Sequence, residues 1–161
     1  MKKYKFVEYK NNYPKLFEKE KEKLKKIIPS SKIEHIGSTS VLNLGGKGII
    51  DILISVTKKD LEKAKDKLVN SNYSLSKTGG NKNRIFFEKE YGFFKKRKVH
   101  IHLTFVNSKI CKEAIKFRNL LRKNKTLREK YSNIKQKAIS LGKKNKDYRD
   151  FKEKFVREVL K

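Results

Sequence analysis

At 161 residues the chain can build one substantial hydrophobic core, and it is too short for two. Hydrophobic residues make up 36% and charged residues 38%, in patterned runs that exclude wholesale disorder, and the single cysteine, Cys111, excludes an intramolecular disulfide. A formal net charge of +27, mostly lysine and spread from end to end, reads as a solvated basic surface of the kind an AT-rich genome produces; a nucleic-acid partner is the alternative. No apolar run approaches the ~20 residues of a membrane helix and no apolar stretch follows the basic N-terminus, so the expectation is a cytoplasmic protein with no membrane partner.

In chain order, Pro14 marks a helix start, and Leu16, Phe17, Leu24, Ile27 and Ile28 recur at helical spacing up to Pro29. Lys32 to Gly37 reads as a short strand that ends in the small polar run Gly37-Ser38-Thr39-Ser40. Gly48 to Val56 reads as a second strand, central to a sheet, and Thr57 as the N-cap of a helix through Asn70. Tyr73 to Ser76 and Arg84 to Glu90 are expected strands joined by Gly79-Gly80-Asn81, and Lys95-Lys96-Arg97-Lys98 reads as a hairpin turn. In Val99 to Val106 the apolar Val99, Ile101, Leu103 and Phe105 alternate with His100, His102 and Thr104. From Ser108 onward the pattern is helical, with Cys111 as a buried thiol and a break at Gly142. One helix, a strand-rich middle and a helical tail make a single α+β domain over residues 1–161 with a small mixed sheet.

The chemistry concentrates in Glu34-His35-Ile36-Gly37-Ser38-Thr39-Ser40 and Lys47-Gly48-Ile49-Ile50-Asp51-Ile52-Leu53-Ile54. A strand running into Gly37-Ser38-Thr39 suits phosphate recognition, because glycine lets backbone N–H groups approach an anion and the hydroxyls add donors. Asp51 stands inside an apolar strand, where a lone carboxylate is costly to bury, so it needs a partner, a metal or a solvent-filled cleft. His100 and His102, two apart on one strand, share a face, and His35 precedes the Gly-Ser turn. Asp51 with His35, His100 and His102 has the donor types to hold a divalent ion, and Asp51, His100 and His102 equally have those of an acid–base set. Lys47 and Arg84 are candidate phosphate contacts, with solvated surface as the bland alternative for each, and Tyr131 and Lys135, one helical turn apart, can reach the sheet from the tail, with a place in the core as the reading preferred for Tyr131.

These two motifs, with His100-Ile101-His102 and a tail carrying Phe117-Arg118, Leu121-Arg122, Tyr131, Lys135, Tyr148, Lys152 and Phe155, closely resemble the GrpB family of nucleotidyltransferase-like proteins over nearly the whole chain. The resemblance implies a small mixed sheet flanked by helices, with a Gly-Ser turn facing an acidic strand. It implies a nucleotide or CoA-type phosphate ligand, since GrpB proteins are at times fused to dephospho-CoA kinase, and nucleotidyl or phosphoryl transfer assisted by Mg, Mn or Zn. Active nucleotidyltransferases carry two acids, two residues apart, on that strand, whereas here Asp51 is followed by Leu53, a loss that GrpB proteins share. That departure sets a non-catalytic ligand-binding module beside the enzyme reading, and the charge sets a nucleic-acid-binding accessory protein beside both. Two further departures, Leu42-Asn43 where the family has Pro-Gly and Gly48 where it has Pro, are expected to loosen the loop between the motifs without removing the site.

Overall fold

Alternating apolar residues build the sheet, and residues of helical period cover it. The computed structural model describes residues 5–77, 80–81, 83–92, 97–140 and 145–161, with side chains described for all of these except 145–148. Helix α1 (Tyr13–Ile27) begins with Pro14 in its first turn, where the missing N–H has no intrahelical partner to lose. Strands β1 (Lys32–Ile36) and β2 (Ile50–Val56) follow, then α2 (Leu61–Asn70), β3 (Ser74–Leu75), β4 (Ile85–Tyr91), β5 (Arg97–Phe105) and three helices, α3 (Lys109–Lys123), α4 (Lys125–Ser140) and α5 (Asn145–Leu160).

The five strands form one mixed sheet in the order β1-β2-β5-β4-β3. Among the described residues only β2 and β5 pair in parallel, with Asp51 opposite His100 and Leu53 opposite His102. β1 lies antiparallel to β2, with Ile36 opposite Asp51 and His35 opposite Ile52. Because side chains alternate across a strand, this register sorts the motif residues between two faces. Ile52, Ile54, Ile101, Leu103 and Phe87 point to one face, where Phe17, Leu24, Ile28, Ala64 and Leu68 complete the main core beneath α1 and α2. Asp51, His100 and His102 point to the other. There Ile36 and Leu53 pack on Cys111, Ala114 and Ile115 of α3, and Val41 and Leu44 pack on Leu121 and Tyr131.

Several local expectations are corrected. The second strand begins at Ile50 and not Gly48, because Gly48 has φ +70 and turns the chain before the ladder starts. Thr57 does not cap α2; it opens a 3-10 turn over Lys58–Asp60, where its hydroxyl meets Asp60 Oδ2. The loop departures turn out to fit their backbone. Asn43 has φ +60, a conformation asparagine tolerates, and a proline in place of Gly48 could not adopt its φ. Gly79, Lys95, Lys96 and the break at Gly142 lie outside the described residues, while Arg97 and Lys98 open β5. No helix among the described residues is long and apolar enough to cross a membrane.

Candidate functional site

The second sheet face opens into a cleft of about 620 Å³ between the strands and helices α3 and α5. That volume lies within the range of small-molecule sites, roughly 300–1,000 Å³. Asp51, His100, His102, Gly37, Lys47 and Arg84 all line it. A smaller branch of about 110 Å³ runs from it past Ser38, Gly46 and Lys135.

The register explains the cluster at its floor. His100 Nδ1 lies 3.4 Å and His102 Nε2 3.7 Å from Asp51 Oδ1, longer than ordinary hydrogen bonds but close enough for strong electrostatic coupling. Phe86, opposite His102 on β4, sets its ring edge-on to both imidazoles at 4.9 and 5.0 Å and fixes their spacing. Burial pushes the Asp51 carboxyl up, but the two imidazoles outweigh it and hold the group below the usual carboxylate range. Burial pushes His102 below its ordinary value against the pull of Asp51, so near neutral pH it is an uncharged imidazole beside a carboxylate. Asp51 Oδ2 packs against Gly37, where φ is +71 and a Cβ would overlap that oxygen.

His35 does not join this group. It points to the opposite face, buried, with its ring stacked on Phe17 at 4.5 Å and 7°. Its Nε2 lies 2.9 Å from Thr39 Oγ1, whose hydroxyl donates to Ile49 O at 3.0 Å. Since Thr39 has one proton to give, Nε2–H must be the donor to it. The expectation of His35 as a metal ligand beside Asp51 is therefore corrected: alternation along β1 sends the ring to the main core. The expectation of Thr39 as a phosphate donor falls with it, because its hydroxyl is spent on the loop and 1% exposed. Ser40 Oγ is likewise spent on Gly37 O. Of the three hydroxyls in the turn, only Ser38's faces the cavity.

In the sequence Arg118 and Arg122 stand out only as family-like tail residues; in the fold they hold the turn in place. Arg118 donates to His35 O at 3.0 Å and pairs with Glu34, and Arg122 donates twice to Ser40 O, at 3.0 and 2.8 Å. Their spacing, one turn apart on α3, is the available signal. Lys152 and Arg149 of α5 also line the cleft, and the sequence singles out neither as a contact.

Over residues 3–161 the chain matches the family described as GrpB protein. The chain belongs to the GrpB family. The glutamate-rich protein GrpB of Alkalihalophilus pseudofirmus is 30% identical over 161 residues, covering 96% of this chain and 92% of the relative. A UPF0157 protein of Vibrio cholerae is also 30% identical, covering 98% of this chain and 80% of its own. The crystal structure of GrpB from Enterococcus faecalis matches with a TM-score of 0.72 at 27% identity, covering 98% of this chain and all of that one. Cid1 poly(U) polymerase in a MgGTP-bound structure matches at TM-score 0.57 and 10% identity, over 82% of this chain and 44% of that one, which shows the nucleotidyltransferase-like fold alone.

The site does not fit the hard divalent cation that metal-dependent nucleotidyl transfer calls for. Such ions take several oxygen ligands. Here Asp51 is the one carboxylate of the strand, its Oδ1 is engaged by two imidazoles, and the second acid position is Leu53, 1% exposed beneath α3. Among the described residues no group of three or more His, Cys, Asp or Glu is arranged to hold a metal ion.

Proposed function

We propose that this GrpB-family cleft binds a nucleotide or CoA-type ligand through its phosphates and presents it to the Asp51–His102 pair for nucleotidyl or phosphoryl transfer. The convergence of Gly37, Lys47 and the Asp51–His100–His102 cluster on the cleft, with Ser38 on its smaller branch, supports the reading. Asp51, held ionised, is a weak proton acceptor, whereas the neutral imidazole of His102 is a suitable one. As an acceptor hydroxyl forms its bond to phosphorus and the leaving phosphate departs with the bonding pair, its proton passes to His102. Asp51 then stabilises the imidazolium, the division of labour between aspartate and histidine in triads. Ile110, Phe117 and Val156 offer the rest of the ligand an apolar wall.

A thermal-shift screen against nucleotides and CoA precursors tests this. A ligand at 100 times its Kd should add about 2.7 kcal/mol to stability. The expectation is a clear shift for at least one compound, retained in Asp51→Asn while its transfer activity falls by ~100-fold or more. A shift without turnover in the wild type would reduce the protein to a ligand-binding module. No shift, together with nucleic-acid binding that weakens steeply with salt, would move the function to the basic surface.

A further inference from the structure

The smaller branch of the cleft is lined by three lysines from three separate elements: Lys47 from the loop before β2, Lys135 from α4 and Lys152 from α5. Among the described residues Asp51 is the one acidic group facing them there. Lys135 is the most telling of the three. It is 3% exposed, its ammonium donates to Gly45 O and lies 4.6 Å from the Tyr131 ring, and no described carboxylate forms an ion pair with it. A cation is costly to bury without a countercharge, so the buried Lys135, with the half-buried Lys47 and Lys152 lining the same space, suits the branch to an anion of more than one charge. Gly46 shapes the floor. A Cβ there would overlap Ser38 Oγ and come 3.4 Å from Lys135 Nζ, so the missing side chain leaves the hydroxyl and the ammonium facing the same space.

Resting on the phosphate-ligand reading above, we propose that the ligand's linear polyphosphate lies over Ser38 and Gly46, held by the ammonium groups of Lys47, Lys135 and Lys152 in place of a divalent cation. The missing second acid at Leu53 and the gathered lysines are then two sides of one arrangement. Lys47 and Lys152 border both the branch and the main cavity, so the chain of phosphates runs from the branch toward Asp51 and His102 with the organic part beyond.

Proton uptake accompanies this mode of binding. Burial, then the neighbouring charge of Lys152, lowers Lys135 to about 7 and Lys47 to about 8, with Asp51 opposing in both and Arg149 adding to the lowering at Lys47. His100 and Tyr131 complete the ring of groups around them. An arriving polyanion favours the charged lysines, so near pH 8 binding draws protons from the buffer, and affinity falls as pH rises through the lysines' values.

Calorimetric titration with sodium tripolyphosphate tests the proposal, in buffers stripped of divalent cations by resin and differing in ionisation enthalpy. The expected result is metal-free binding at pH 8 with net proton uptake, weakened at least tenfold in Lys135→Met and in the more accessible Lys152→Gln. A Lys109→Gln/Lys125→Gln control, on side chains 86% and 80% exposed, should stay within twofold. Binding that appears only on adding Mg²⁺, or an equal loss in the control, overturns the proposal. If nucleotides bind and tripolyphosphate does not, the lysine assignment fails while the phosphate-ligand reading stands; if neither binds, both fail.

Discussion

Restoring the second acid by Leu53→Asp should lower unfolding stability by about 4 kcal/mol, the sum of a lost apolar side chain and a carboxylate with no solvent. Leu53 is 1% exposed, sits between Glu34 and His102 in the ladder, and packs on Ile36 and Cys111 beneath α3. The position where active nucleotidyltransferases carry a ligand is here part of the seal between sheet and helix. A loss of that size is comparable to the whole margin of a marginal domain, so chemical denaturation should show it directly. Leu53→Met, which keeps the volume, should cost under about 1.5 kcal/mol. A Leu53→Asp protein of unchanged stability that gains Mg²⁺ binding would mean that α3 leaves this position open.

The second large effect is acid sensitivity at His35. Burial, opposed by Asp51 and reinforced by Arg122 and Arg118, lowers His35 from 6.5 to about 4. Between those values the unfolded chain binds a proton that the folded protein refuses, so stability rises with pH across this window and is lost on acidification through it. The difference corresponds to about 3 kcal/mol by the time pH reaches 4. The ring is held by stacking on Phe17 and by its N–H to Thr39, and protonation adds a charge beside the apolar core. His35→Gln keeps a donor for Thr39 and does not titrate. Urea unfolding between pH 7 and 4 should therefore fall more steeply for the wild type than for the variant. Parallel curves would place the imidazole in contact with water.

Legibility in the sequence follows from which distances are local. Asp51 in an apolar strand and the His100/His102 alternation lie within single strands, and the parallel pairing of β2 with β5 sets them side by side. His35 escapes such reading because strand alternation says that neighbours diverge, but not which of them shares a face with Asp51. That depends on the β1–β2 register, which puts Ile36 there instead. Ser38, Thr39 and Ser40 look alike as a run of hydroxyls, and only the folded loop shows that two of the three are spent on Ile49 O and Gly37 O. Thr57 has the composition of a helix cap, but a 3-10 turn intervenes before α2. The lysines of α4 and α5 reach the cleft through the helical tail's packing on Val41, Leu44 and Leu121. No short-range signal separates them from the other basic residues of a chain at +27. Lys135 is distinguishable only through its one-turn spacing from Tyr131.

The charge itself also changes meaning once placed. Spread around the surface it gives general affinity for anions, screened by salt within about 10 Å. Lys135 is different, because it is buried and already held by Gly45 O, so the anion contact proposed for it should be screened by salt less than one made by a surface lysine.

Whether a phosphate ligand enters this cleft is decided by an amide-detected NMR titration of the ¹⁵N-labelled protein with a nucleotide that gives a thermal shift. The largest perturbations are expected at Gly37, Ser38, Gly46 and Lys47, with smaller ones at His100 and His102. Perturbations scattered over exposed lysines of α1, α3 and α4, with the Gly37–Ser38 and Gly46–Lys47 amides unmoved, would refute a phosphate site in the cleft.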